Sequence, residues 1–196
     1  MRLLSAITYQ DDVLVHSKDH NTQLMELQKC FDPLRAHGLQ LNVTKCSFGQ
    51  IEVAYLGFTL TPDGILPGKD KSAAIKSFPP PTTKCQVREF VGLCNYFRQS
   101  IPGFSLISQH LTKLTRNDCE WKGGEMPETS IKAFQSLKNL FLDPPVLAYP
   151  DPNLDYHLMV EASIGSETVP GGLGAALVQI SDSGVPQAIG FASRSL

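Results

Sequence analysis

The sequence of 196 residues contains no apolar run approaching the roughly 20 residues that cross a bilayer. Its opening, Met1-Arg2-Leu3-Leu4-Ser5-Ala6-Ile7, is apolar only briefly, and Asp11 and Asp12 close it too early for a secretory signal. An intracellular protein of cytoplasm or nucleus is expected, not secreted and without a membrane partner. The five cysteines (Cys30, Cys46, Cys85, Cys94 and Cys119) are scattered, odd in number and form no Cys-x-x-Cys pair. That excludes a zinc-finger pattern or a disulfide framework and leaves reduced thiols. The five histidines show no ligand spacing, and the single tryptophan, Trp121, is expected to pack. No internal repeat is present, and no low-complexity tract beyond Pro79-Pro80-Pro81. With 42% hydrophobic and 18% charged residues, the chain has the composition of an ordinary folded protein.

The net charge of −2 argues against a nucleic-acid partner only when taken whole. Residues 1–68 carry five Lys/Arg and seven Asp/Glu, residues 69–122 nine and four, and residues 123–196 three and eight. A basic middle third between acidic neighbours fits a segment that meets phosphates. It fits an unevenly charged solvated surface as well.

The local pattern predicts an α+β protein. Ile7 and Tyr9 lead into Gln10-Asp11-Asp12, and Val13 to Val15 lead out, which reads as a β-hairpin over residues 3–16. A helix is predicted over 19–37, with Leu24, Leu27, Phe31 and Leu34 on one face and Asp19 or Asn21 as cap. Pro33 is expected to kink or shorten it. Leu39–Val43 and Val53–Leu60 read as strands, with Pro62-Asp63-Gly64 as a turn. Helices are predicted over 69–78, 84–100, 104–116 and 128–142. Strands follow at 155–162, 172–180 and 186–193.

Two adjacent carboxylates at a hairpin tip are the sharpest chemical feature. Mg²⁺ prefers hard oxygen ligands and often takes one or two carboxylates plus substrate phosphates. Successive side chains of a strand point to opposite faces, so Asp11 is expected to ligate directly and Asp12 to support it. An Asp-Asp turn by itself is most often only a solvated turn. Here the context is larger. Tyr9-Gln10-Asp11-Asp12 with Val13-Leu14-Val15-His16-Ser17 resembles the Tyr-x-Asp-Asp motif of reverse transcriptases. Gly38-Leu39-Gln40-Leu41-Asn42-Val43-Thr44-Lys45-Cys46 is similar to a stretch of gypsy-type retrotransposon polymerases, and Tyr55-Leu56-Gly57-Phe58 looks like their primer-grip turn. Leu93 to Phe104 resembles their thumb helix, and Asp143 to Tyr149 the connection before their RNase H domain. Ala192 to Leu196 agrees too. The motifs occur in one order along essentially the whole chain.

The resemblance implies the C-terminal part of a polymerase palm at 1–66, a helical thumb at 67–122, a connection at 123–152 and the start of a mixed α/β RNase H-like domain at 153–196. It implies an RNA-directed DNA polymerase of a Pol polyprotein, using Mg²⁺ or Mn²⁺. The implied partners are an RNA or DNA template–primer, deoxynucleotides, and the fingers and integrase of the same polyprotein. Asp11 and Asp12 become metal carboxylates, Tyr9 packs near the primer end, and Lys45 lies near the incoming nucleotide. Leu56, Gly57 and Phe58 position the primer terminus. Gly92, Asn95 and Tyr96 track the minor groove, and Lys84, Arg88 and Arg98 are candidates for phosphate contact.

The sequence departs from the family in three places. The polymerase site needs a further Asp from an earlier strand, which this sequence does not supply. Where the RNase H-like part has Asp-Ala-Ser with a metal-binding Asp, this chain has Glu161-Ala162-Ser163 and a longer turn, Ile164 to Gly171. Near-ideal Mg²⁺ geometry tolerates the added methylene badly, so nuclease activity is not expected. Pro33 is the third departure. A rival reading follows, a non-catalytic nucleic-acid-binding remnant of a decayed retrotransposon.

Overall fold

The computed structural model describes residues 5–165 and 170–196. It divides into two compact units, Met1–Ile51 and Glu52–Leu196. Three small antiparallel sheets and five α-helices make an α+β fold among the described residues.

In the first unit, β1 (Ala6–Tyr9) and β2 (Asp12–Val15) pair as a hairpin with Tyr9 opposite Asp12. The predicted hairpin is present, apart from Met1–Leu4, which lie outside the described residues. Gln10 takes φ 52°, a left-handed conformation that this tight reversal demands and a side chain resists. Helix α1 (His20–Ala36) starts where Asp19 accepts a hydrogen bond from the Thr22 amide at 2.9 Å. That bond, with a second from the Thr22 hydroxyl, holds the Asp19 carboxyl below its ordinary range. Pro33 does not shorten the helix: three more residues remain helical, and the His37 amide donates to the Pro33 carbonyl at 3.1 Å. Placed in the last turn, the ring costs one hydrogen bond without ending the helix. The expected strand at 39–43 is absent. A 3-10 turn forms at Val43–Lys45, because the Asn42 side chain accepts from the Thr44 amide and hydroxyl and turns the backbone away from a ladder.

The second unit opens with a meander, β3 (Val53–Tyr55), β4 (Phe58–Thr61) and β5 (Gly64–Pro67). The predicted single strand 53–60 is thus a hairpin, reversed at Leu56 and Gly57 with φ of 47° and 73°. Two positive φ values at a two-residue loop match the right-handed twist of the flanking strands. Strand β5 escaped the sequence reading. Its partner outside the meander is Leu147, whose amide and carbonyl both bond Ile65.

Helices α2 (Lys69–Ser77), α3 (Lys84–Asn95), α4 (Phe104–Leu114) and α5 (Glu128–Leu142) share one core. Val87, Phe90, Cys94 and Phe97 recur at spacings of three and four and are fully buried. Phe90 packs against Phe78 and Phe134, with ring centroids 5.3 and 4.5 Å away. Thr83 caps α3 by accepting from the Gln86 amide. The predicted helix 84–100 stops at Asn95, and a 3-10 turn follows at Arg98–Ser100.

The last sheet runs β6 (Tyr156–Gly165), β7 (Pro170–Ile180) and β8 (Pro186–Ser195) in sequence order. Strand β6 lies at its edge with every residue exposed. Part of the Ile164 to Gly171 turn lies outside the described residues.

Candidate functional site

In the first unit, Asp11 occupies the hairpin tip and Asp12 begins the return strand opposite Tyr9. All three side chains are exposed. Lys45 is exposed in the 3-10 turn. Two neighbouring hard oxygen donors fit a divalent cation that fills its other positions with water and phosphate. Among the described residues, no group of three or more His, Cys, Asp or Glu side chains forms. Asp11 and Asp12 therefore make a partial donor set.

Glu161 does not fit a metal in the same way. It sits in mid-β6, exposed, with Gly174 opposite, and belongs to no carboxylate group among the described residues. One carboxylate on an open strand face offers no cage.

In the second unit, the structure joins residues that are 40 apart in sequence. The Tyr96 hydroxyl donates to the Leu56 carbonyl at 2.7 Å, and its ring stacks on Phe58 with centroids 5.8 Å apart and planes 29° apart. The Gly68 amide donates to the Gly57 carbonyl at 3.0 Å. These two bonds hold a turn whose Leu56 occupies a conformation costing roughly 1–2 kcal/mol for an ordinary side chain. Gly57 is required twice, by its positive φ and by space: a Cβ there would stand 2.7 Å from the Tyr96 hydroxyl oxygen. Tyr96 is nevertheless 45% exposed, and Gly92 and Asn95 are exposed beside it on the end of α3. A Cβ at Gly92 would meet nothing within 4 Å, so the glycine leaves an open notch rather than a packed contact.

The three basic residues singled out on this segment each donate to a backbone carbonyl. Lys84 donates to the Arg116 carbonyl at 2.7 Å and Arg88 to the Thr115 carbonyl at 3.1 Å. Both cap the C-terminal end of α4, where cations meet unsatisfied carbonyls. Arg98 donates to the Ser193 carbonyl of β8 at 3.3 Å. One cation that sequence reading missed lies at the turn instead: Lys71 Nζ stands 3.2 Å from the Tyr96 ring centroid. Only its neighbourhood in space marks it, since nothing in the α2 sequence links it to residue 96.

Residues 2–60 match the family model described as reverse transcriptase (RNA-dependent DNA polymerase). Residues 126–196 match the RNase H-like domain found in reverse transcriptase. These two segments are similar to reverse transcriptase and to its RNase H-like domain, as found in Pol polyproteins of retroelements. The chain is 32% identical, over 96% of its length, to the retrovirus-related Pol polyprotein from transposon opus of Drosophila melanogaster, and covers 19% of that protein. It is 37% identical, over 79% of its length, to the Gag-Pol polyprotein of Walleye dermal sarcoma virus, covering 9%. The chain thus spans a fifth or less of the length of these curated relatives. Among solved structures, a foamy viral protease-reverse transcriptase in complex with double-stranded DNA shares the fold, with a TM-score of 0.83 and 20% identity. That likeness covers 98% of this chain and 32% of the other. No helix among the described residues is long and apolar enough to cross a membrane.

Proposed function

We propose that this chain is the primer-holding part of an RNA-directed DNA polymerase, which in the complete enzyme extends a primer by nucleotidyl transfer from deoxynucleotides. The observation that carries the reading is the Asp11-Asp12 hairpin tip, exposed and opposite Tyr9, within the stretch that matches the reverse transcriptase family. Asp11 and Asp12 would hold Mg²⁺ or Mn²⁺, which when bound stabilises the charge that develops on the reacting oxygens. Tyr9 supports the primer end, and Lys45 stands for the incoming nucleotide. Leu56, Gly57 and Phe58 fix the primer terminus, with Tyr96 bracing their turn. Gly92 and Asn95 offer a small, amide-lined surface to the minor groove, which suits contact with any sequence. The division into palm, thumb, connection and RNase H-like parts at residues 66, 122 and 152 belongs to the same proposal. So do the fingers and integrase as partners in a polyprotein.

A second reading concerns what these residues do unaided. Two carboxylates are a partial donor set, whereas the turn, Tyr96 and α3 form a complete local surface. The chain itself is therefore read as a duplex binder that does not polymerise. Incubation of residues 1–196 with template–primer, deoxynucleotides and Mg²⁺ should give no extension, alongside salt-sensitive duplex binding. Asp11-dependent extension would overturn the second reading and strengthen the first. Absence of any salt-sensitive binding would count against both.

A further inference from the structure

The Tyr96 ring is a platform tied at two points, by its hydroxyl to the Leu56 carbonyl and by its face to Phe58. The Lys71 ammonium rests 3.2 Å from the ring centroid. An ammonium carries three N–H donors, and an aromatic face does not satisfy them all. Among the described residues, no carboxylate pairs with Lys71 and no acceptor receives a hydrogen bond from it, while Lys69, two residues earlier, is matched by Glu52 at 2.9 Å. Lys84, Arg88 and Arg98 all donate to carbonyls. What sets Lys71 apart from these cations is its place, on the Tyr96 ring beside the turn.

We propose that Lys71 is a further nucleic-acid contact, the cation that receives a backbone phosphate of the duplex where Tyr96 meets the Leu56-Gly57 turn. The inference rests on the reading of the chain as a duplex binder. Lysine meets phosphate as a point charge on a flexible stem, so the contact carries no sequence preference. Fixing the ammonium on a braced ring places that charge before the duplex arrives and reduces what must be ordered on binding.

The test is fluorescence titration of residues 1–196 with a labelled DNA duplex over a range of salt. Each phosphate neutralised contributes about 0.9 to the slope of log K against log salt. Lys71→Met keeps the apolar stem and removes the charge. It should lower the slope by about that amount, while Lys71→Arg keeps it. An unchanged slope in Lys71→Met, with normal binding by the unaltered chain, overturns this inference and leaves the duplex-binder reading intact. No salt-sensitive binding by the unaltered chain removes that reading and this one together. A second measurement needs no variant: acetylation of Lys71 in the unaltered chain, read by mass spectrometry. Duplex should protect Lys71 several-fold at low salt, and Lys132, paired with Glu128 on α5, not at all. Equal labelling of Lys71 with and without duplex contradicts the proposal.

Discussion

The two units divide chemistry from packing. The unit Met1–Ile51 carries Asp11, Asp12 and Lys45, yet the one buried apolar side chain among its described residues is Cys30. Ile7, Tyr9, Val13, Met25, Leu41 and Val43 are all exposed there. The unit Glu52–Leu196, by contrast, encloses Phe90, Phe97, Leu111, Leu137 and Phe141 at 2% exposure or less. The difference teaches that the acidic hairpin is held by local devices, a tight turn and a helix cap, while the turn at Leu56-Gly57 is held by a core. The proposed grip on a duplex therefore rests on a turn that a core supports, and the proposed metal site on a hairpin held locally.

The comparison breaks most visibly in the core. Phe90→Ala should cost about 3–5 kcal/mol, because it removes a fully buried ring from between two others. Urea unfolding followed by Trp121 fluorescence checks it, since Trp121 packs against that core. Amide exchange in α1 should barely respond; equal acceleration in both units would merge them into one cooperative block.

A smaller effect is expected at the turn. Tyr96→Phe removes a half-exposed hydrogen bond and should cost about 1 kcal/mol, together with a modest loss of duplex affinity. Thiol labelling sharpens the contrast further. Burial pushes the Cys94 thiol up to about 12 and raises Cys30 as well, while Cys85 is exposed. Cys85 should label first at mild alkaline pH, Cys30 next as its unit opens, and Cys94 last. Because the native Cys94 thiol holds its proton longer than the unfolded one, its contribution to stability is complete below about 9 and is lost as pH rises from there toward about 12. Cys94 labelling ahead of Cys30 would reverse the ranking of the two units.

The smallest effect is at the helix cap. The Asp19 carboxyl lies below its ordinary value because it accepts from Thr22. Its support for α1 is therefore present above the unfolded value of 3.8 and lost as pH falls through the lower folded one. Circular dichroism should show α1 fraying at acid pH, and Asp19→Ala should show the same loss at neutral pH. An acid-insensitive α1 would mean that the cap is idle.

Much of this was legible in the sequence for identifiable reasons. Helices α3 to α5 announce themselves by apolar spacing because tertiary packing rewards the same face that periodicity marks. The Tyr9 to Val15 hairpin is flagged by its poor strand formers between good ones. The 39–43 stretch misled because alternating Leu39, Leu41 and Val43 look like a strand, whereas Asn42 binds its own neighbour's backbone. Pro33 misled because its cost depends on how near the helix end it falls. At the candidate site, the turn and Tyr96 were each visible, but their union was not: a hydrogen bond across 40 residues leaves no local trace. The same holds for the carbonyl contacts of Lys84 and Arg88, which charge alone does not reveal. The carbonyls they cap are supplied by Arg116 and Thr115, roughly 30 residues away.

Duplex binding by this chain is proposed to reside in the turn and α3, not in the acidic hairpin. It is tested most directly by comparing two variants of residues 1–196 in one salt-controlled duplex titration, Asp11→Asn with Asp12→Asn against Tyr96→Ala. The asparagine pair should bind as well as the unaltered chain or more tightly, while Tyr96→Ala should lose roughly tenfold, because it removes the brace of the Leu56-Gly57 turn and the support of Lys71. Unchanged affinity in Tyr96→Ala, with binding lost in the asparagine pair, would contradict it.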